Sequence, residues 1–151
     1  MPFNKIYAIK YKNQYKYILC IKIEILGRDL VTEHYKVNLI LLKIKLLIGE
    51  GKCSFEEQRE KNMKTLAALG LLPEDIFEIL MELTPQNYYR GPSTDYDTNE
   101  PDSIWEFGII LEGREVYIKL KLTADFVKDI SFHFAEKPME FPFKNLGGSV
   151  L

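Results

Sequence analysis

The sequence predicts an α+β domain: two to three helices first, then an antiparallel sheet of three to four strands packed against them. Three observations carry this. Apolar residues recur at spacings of three and four between residues 33 and 83, the period of a helix. From Trp105 to Phe134 apolar and polar residues alternate instead, the period of a strand. The helical patterns all precede the alternating ones, which points to segregated helices and strands rather than interleaved βαβ units.

Residues 3–26 are rich in Ile, Tyr and Lys, with Asn13-Gln14 as a turn signal. Tyr17, Leu19, Ile21, Ile23 and Ile25 fall on one face of an extended segment, so a hairpin is expected there. The composition differs from that of the remaining chain, so residues 1–30 read as an N-terminal extension and 31–151 as a single domain.

A helix is expected over 33–48, where Leu39, Leu42 and Leu46 form one stripe and Ile40, Ile44 and Leu47 another. Gly49 and Gly51 stop it. Cys53–Phe55 reads as a short strand. Ser54 and Glu57 have capping-box spacing and open a second helix through Met63, Leu66, Ala67 and Leu69, ended by Gly70. Pro73 suits the first turn of a third helix, with Glu74 and Asp75 at its positive end and Ile76, Ile79, Leu80 and Leu83 as its buried stripe. Thr84-Pro85 is a cap and first-turn pair for one more short turn.

Residues 90–103 (RGPSTDYDTNEPDS) read as a loop by composition. Strands are expected next at about 104–111, 114–122 and 129–135. Glu112-Gly113 is a two-residue hairpin turn. That loop length sets Leu111 opposite Arg114, Ile109 opposite Val116 and Phe107 opposite Ile118, on an apolar face shared with Trp105, Leu120 and Leu122. The other face carries Glu106, Gly108 and Ile110 opposite Lys119, Tyr117 and Glu115. In the third strand Ile130, Phe132 and Phe134 point inward, and Asp129, Ser131 and His133 outward. The prolines of the tail EKPMEFPFKN forbid helix, and its aromatics are expected to cover a core edge.

The chain has 151 residues, 46% of them hydrophobic and 28% charged, a composition suited to one globular domain. Net charge is -2 but uneven. Residues 1–50 hold nine Lys/Arg and four Asp/Glu, hence +5; residues 51–151 hold eleven and eighteen, hence -7. Contact with RNA would therefore rely on a local patch. Cys20 and Cys53 have neither metal-site spacing nor the density of a disulfide scaffold, so reduced thiols in the cytoplasm are expected. Lys43 and Lys45 interrupt the longest apolar run, and no signal peptide pattern is present.

An ordered series of short motifs resembles the MqsR (motility quorum-sensing regulator) family of toxin ribonucleases. It comprises Leu69-Gly70-Leu71, Asp75, Ile79-Leu80, Tyr88-Tyr89-Arg90, the acidic loop, Ile104-Trp105-Glu106, Val116-Tyr117-Ile118-Lys119 and Ile130-Ser131-Phe132-His133. Order and spacing hold over roughly residues 65–134, with a preceding helix from residue 36. The resemblance implies a RelE-like fold and an endoribonuclease that cuts messenger RNA without a metal or other cofactor. It also implies a cognate antitoxin carrying a zinc-binding module and a helix-turn-helix. The family's functional positions fall on Arg90, Glu106, Tyr117 and His133. Only Tyr117 keeps the family's residue; the family has Lys, Gln and Lys at the other three.

The substituted residues still suit the chemistry. Metal-free cleavage needs a base for the 2′-hydroxyl, an acid for the leaving 5′-oxygen and a cation for the transition state. Glu106, Tyr117 and His133 are the candidate catalytic residues, with Glu106 as base and His133 as acid; Arg90 and Lys119 are the substrate-binding cations. Each has a plainer reading. Glu106 and Lys119 face each other as a cross-strand ion pair would. His133 is equally an outward strand residue, and Tyr117 a cover for Gly108. Gly108 leaves space either for Tyr117 or for a ligand. Asp95, Asp97, Glu100 and Asp102 lack a calcium-loop pattern and read as a solvated loop. His34 reads as surface. The alternative function is a non-catalytic protein- or RNA-binding module that retains the toxin fold.

Overall fold

The computed structural model describes residues 28–146, with side chains from Thr32 onward. The chain divides into two compact units, residues 1–37 and 38–151, each taken by itself. The hairpin expected over 3–26, and Cys20, lie outside the described residues. The described part of the first unit is the opening of helix α1 (Arg28–Gly49), where His34 is half-buried rather than on the surface.

The second unit is α+β. After α1 come β1 (Cys53–Phe55), α2 (Glu60–Leu69), α3 (Asp75–Met81), a 3-10 turn (Pro85–Asn87), β2 (Tyr88–Asp95), β3 (Glu100–Leu111), β4 (Arg114–Leu122) and β5 (Val127–Phe134). The sheet has five strands in the order β1-β5-β4-β3-β2. It is mixed, because β1 runs parallel to β5 while the other pairs are antiparallel. This corrects the expected three- to four-stranded antiparallel sheet. The edges were the illegible part: β1 forms at Cys53–Phe55 as expected, but no local signal shows its parallel pairing with β5, and β2 lies within the stretch read as a loop.

Both long helices end by the same device. Gly51 and Gly70 take left-handed φ angles of 71° and 66°. Lys52 N then donates to Leu47 O after α1, and Leu71 N to Leu66 O after α2, so the last carbonyls of each helix are satisfied. In α1 the buried stripe is Leu41, Ile44 and Leu47, while Leu39, Leu42 and Leu46 face solvent. Apolar residues surround α1, so periodicity offered two stripes and only packing selects the inner one. Helix α2 starts at Glu60, later than Ser54 implied, because Ser54 is taken into β1. Helix α3 buries Ile76 and Leu80, and Thr84 caps the 3-10 turn in a capping box with Asn87.

The hairpin register is the one alternation requires: Leu111 pairs with Arg114, Ile109 with Val116, Phe107 with Ile118 and Glu106 with Lys119. Glu112 and Gly113 both adopt positive φ, 49° and 75°, as a type I′ turn demands. Val116, Ile118, Leu120, Phe107 and Phe132 are buried on the inner face.

Helix α2 closes the free part of β5. Asn62 is fully buried. Its Nδ2 donates to Glu56 O (2.8 Å) and Ile130 O (3.1 Å), and its Oδ1 accepts from Phe132 N (3.0 Å). Thr65 Oγ1 accepts from Phe134 N (3.3 Å). Two side chains thus replace the strand that would otherwise satisfy this edge.

Two further departures have physical causes. Residues 90–103 form most of a hairpin whose turn is pinned by Asp95, which accepts from Asp97 N, Thr98 Oγ1 and Lys121 Nζ (2.7 Å). Lys121 also pairs with Glu100. The hydrogen bond from Lys121 is the largest influence holding the Asp95 carboxyl down, at about 2. Composition cannot show this, because Lys121 lies on another strand. In β5 the partners pass from Lys119↔Ser131 to Leu120↔Asp129. Ile130 is therefore the extra residue of a β-bulge, and Asp129 turns inward instead of outward. It is 1% exposed, and neither side-chain oxygen has a well-formed hydrogen bond among the described residues. Burial pushes its carboxyl well above the ordinary carboxylate range, opposed in part by the Ser131 backbone amide. The tail covers the outer face near Gly108, where an added Cβ would lie 2.7 Å from Met139 Cε and 2.8 Å from Phe141 Cζ. Neither Tyr117 nor a ligand takes that space. Phe143 stacks on Tyr88 at 5.1 Å. Among the described residues no helix is long and apolar enough to cross a membrane.

These contacts set two expectations for stability. Asn62→Ala should cost ~2–4 kcal/mol in urea unfolding, because it strands buried backbone groups of β5. Folded Asp129 holds a proton that the unfolded chain releases above about pH 4, so its effect on stability worsens as pH rises from there toward its raised folded value. Asp129→Asn should remove that dependence. The stability difference, variant minus wild type, should grow with pH by up to ~1.4 kcal/mol per unit in this window.

Candidate functional site

The outer sheet face gathers the predicted residues on four adjacent strands. Arg90 comes from β2, Glu106 from β3, Tyr117 and Lys119 from β4, and His133 from β5. Cross-strand pairing sets Arg90 beside Glu106, Glu106 beside Lys119, and Tyr117 beside His133. At Gly91, β2 approaches β3 so closely that a Cβ would lie 2.8 Å from Ile104 O. A side chain there would push Arg90 away from Glu106.

Glu106 is the centre of the bonded network. It is 6% exposed. Its Oε2 accepts from Arg90 Nε at 2.8 Å and from the Tyr117 hydroxyl at 2.7 Å. The expected ion pair with Lys119 is absent: among the described residues Lys119 forms no ion pair or side-chain hydrogen bond, although it lies directly opposite. Arg90 reaches in from β2 and takes the carboxylate with a donor of defined direction. Its hydrogen bond to Glu106 is the main reason the guanidinium holds its proton more firmly than usual. Its side chain stays 60% exposed, with donors to spare for an anion, and its guanidinium carbon lies 5.1 Å from the Tyr89 ring centre.

Tyr117 is locked as a neutral donor. Burial first, and then the hydrogen bond and charge of Glu106, push its phenol well above the ordinary value. The His133 ring lies 5.3 Å from the Tyr117 ring, tilted by 38°. His133 Nδ1 is 2.9 Å from Phe134 O. A carbonyl only accepts, so Nδ1 carries the hydrogen, and Nε2 is the nitrogen left for proton exchange.

Two clefts flank this network. One, of about 250 Å³, is lined by Tyr89, Arg90, Tyr117, His133 and Met139, with Glu136 and Lys137 among its other walls. The other, of about 590 Å³, is lined by Arg90, Ser93, Tyr96, Glu106, Tyr117 and Lys119 among others. Arg90 and Tyr117 belong to both, so the clefts meet at the bonded cluster. Three contributors escaped the sequence reading. Arg59 Nη1 donates to Ser131 Oγ at 3.1 Å, bringing a second guanidinium beside the strand position opposite Lys119. Met139 and Glu136 reach the first cleft from the tail. No local pattern marks them, because only the fold of α2 and the tail brings them there. Tyr89 carried one weak signal, its place next to Arg90.

Compared with known proteins, the sequence matches no family model, and neither a curated protein nor a solved structure matches it.

The bonding scheme predicts a spectroscopic change. Glu106→Gln removes the charge that helps keep the Tyr117 phenol protonated. The alkaline titration of Tyr117, isolated as the absorbance difference against Tyr117→Phe, should then move to lower pH.

Proposed function

We propose that this protein is the toxin of a type II toxin–antitoxin system, a messenger-RNA endoribonuclease of the MqsR type with a RelE-like fold. It works in the cytoplasm without a metal, and its antitoxin has a zinc-binding module and a helix-turn-helix. The observation that carries the reading is the convergence of Arg90, Tyr117, Lys119 and His133 around buried Glu106, where two clefts meet. Four of these positions, Arg90, Glu106, Tyr117 and His133, are the functional positions of the family that the motif series resembles, and alternation alone places the last three on one face.

The division of roles comes from the bonding. Glu106 Oε2 already accepts two hydrogen bonds, so Glu106 orients Arg90 and Tyr117, and the base role passes to His133 Nε2. His133 takes the proton of the 2′-hydroxyl. The 2′-oxygen forms a bond to phosphorus, the P–O5′ bond breaks, and the 5′-oxygen takes a proton from the Lys119 ammonium. Arg90 and Lys119 offset the charge on the phosphoryl oxygens. The products are a 2′,3′-cyclic phosphate and a 5′-hydroxyl. The same engagement of Glu106 favours the second reading, a binding module on the toxin fold.

Purified protein incubated with a structured messenger RNA should yield such ends equally with and without chelator. Induction in cells should stop growth. His133→Ala should lower the cleavage rate by roughly 10²-fold or more and relieve the arrest. No cutting in either buffer would leave the binding module, and undiminished cutting by the variant would remove His133 from the mechanism.

A further inference from the structure

The outer side of α1 carries a leucine stripe that nothing described in the structure covers. Leu39, Leu42 and Leu46 are 49%, 58% and 67% exposed. Their spacing of three and four puts them on one line of the helix, opposite the buried Leu41, Ile44 and Leu47. At 100° per residue, Lys43 falls on one border of the stripe and Lys45 on the other. Neither lysine makes an ion pair among the described residues. A strip three leucines long with one lysine on each border has the shape of a helix-binding face rather than of a flat interface.

Charge decides among the occupants. A second copy of this chain would set the same lysines against each other, whether the helices ran parallel or antiparallel. An anionic membrane would attract the lysines. It would also meet the rest of the chain, which apart from these two lysines carries a net charge of -4 within a chain of net charge -2, and be repelled. An amphipathic helix with apolar residues at its centre and Asp or Glu along its borders satisfies both features at once. We infer that the Leu39–Leu42–Leu46 face of α1 is the docking site for an acidic amphipathic helix of a partner protein. This stands independently of the ribonuclease reading, since no residue of the outer sheet face takes part.

The probe is a fluorescently labelled peptide of three heptads, with Leu at the central positions and Glu along both borders. A second peptide carries Lys in place of Glu. The full chain should bind the acidic peptide and not the basic one. Leu42→Glu should weaken that binding about tenfold or more without shifting thermal unfolding, because Leu42 is on the solvent side. Should that variant not fold, Leu46→Gln at the more exposed position carries the same comparison. Reversing both lysines (Lys43→Glu with Lys45→Glu) should transfer the preference to the basic peptide. Any of four results would overturn the assignment: no binding of the acidic peptide, equal binding of both peptides, a wild-type dimer in sedimentation that Leu42→Glu dissociates, or binding to phosphatidylglycerol vesicles that Leu42→Glu abolishes.

Discussion

The register of the β3–β4 hairpin is the constraint on which the rest of the molecule depends. Two consecutive left-handed residues, Glu112 and Gly113, reverse the chain in the smallest loop that matches strand twist. Everything paired to that hairpin inherits its faces. A slip of one residue would carry Val116, Ile118 and Leu120 to the outside and bury Tyr117, Lys119 and Lys121. The register therefore selects the core and the candidate site together. Helix α2 then protects the assembly at the far strand, where Asn62 and Thr65 supply side-chain hydrogen bonds to β5 in place of another strand.

Glu106 and Asp129 show how differently two buried carboxyls can be resolved. Glu106 is surrounded by donors and holds Arg90 and Tyr117 in place. Removing either partner would leave a buried acceptor underused, which is why the three side chains form a unit rather than independent surface residues. Asp129 has no side-chain donor among the described residues, and burial, opposed in part by the Ser131 backbone amide, pushes its carboxyl well above the ordinary range. A single bulge separates these outcomes: with regular pairing through Ile130, Asp129 would lie on the solvent side beside Lys121. The cost at Asp129 accompanies a local bend of β5 next to Ser131 and His133. The bend thus sits where two residues of the outer face are positioned.

Much of the central sheet and of the candidate site was legible in the sequence. The strand alternation, the turn at Glu112-Gly113, the glycine stops after α1 and α2 and the Thr84-Pro85 cap are all local signals. Local chemistry decides them. Arg90, Glu106, Tyr117, Lys119 and His133 do share one face. What was not legible is who bonds to whom. Glu106 faces Lys119 in the ladder and yet bonds to Arg90. Glu136 and Met139 reach the first cleft, and Arg59 reaches Ser131, from positions that carry no pattern of their own. The stretch from Arg90 to Ser103 has loop composition and forms strands, because Asp95 finds Lys121 across the sheet.

The sequence by itself determined the order of the helices and of β1, β3, β4 and β5, the hairpin register and which hairpin residues alternate onto the outer face, since each depends on backbone periods and turn geometry within a few residues. The tertiary structure alone decided the parallel edge strand, the inner stripe of α1, the inward turn of Asp129, the filling of Gly108 by Met139 and Phe141, and the partner of Glu106. Each of those outcomes is a competition between groups far apart in the chain. It is settled by which of them burial and hydrogen-bond geometry bring within reach.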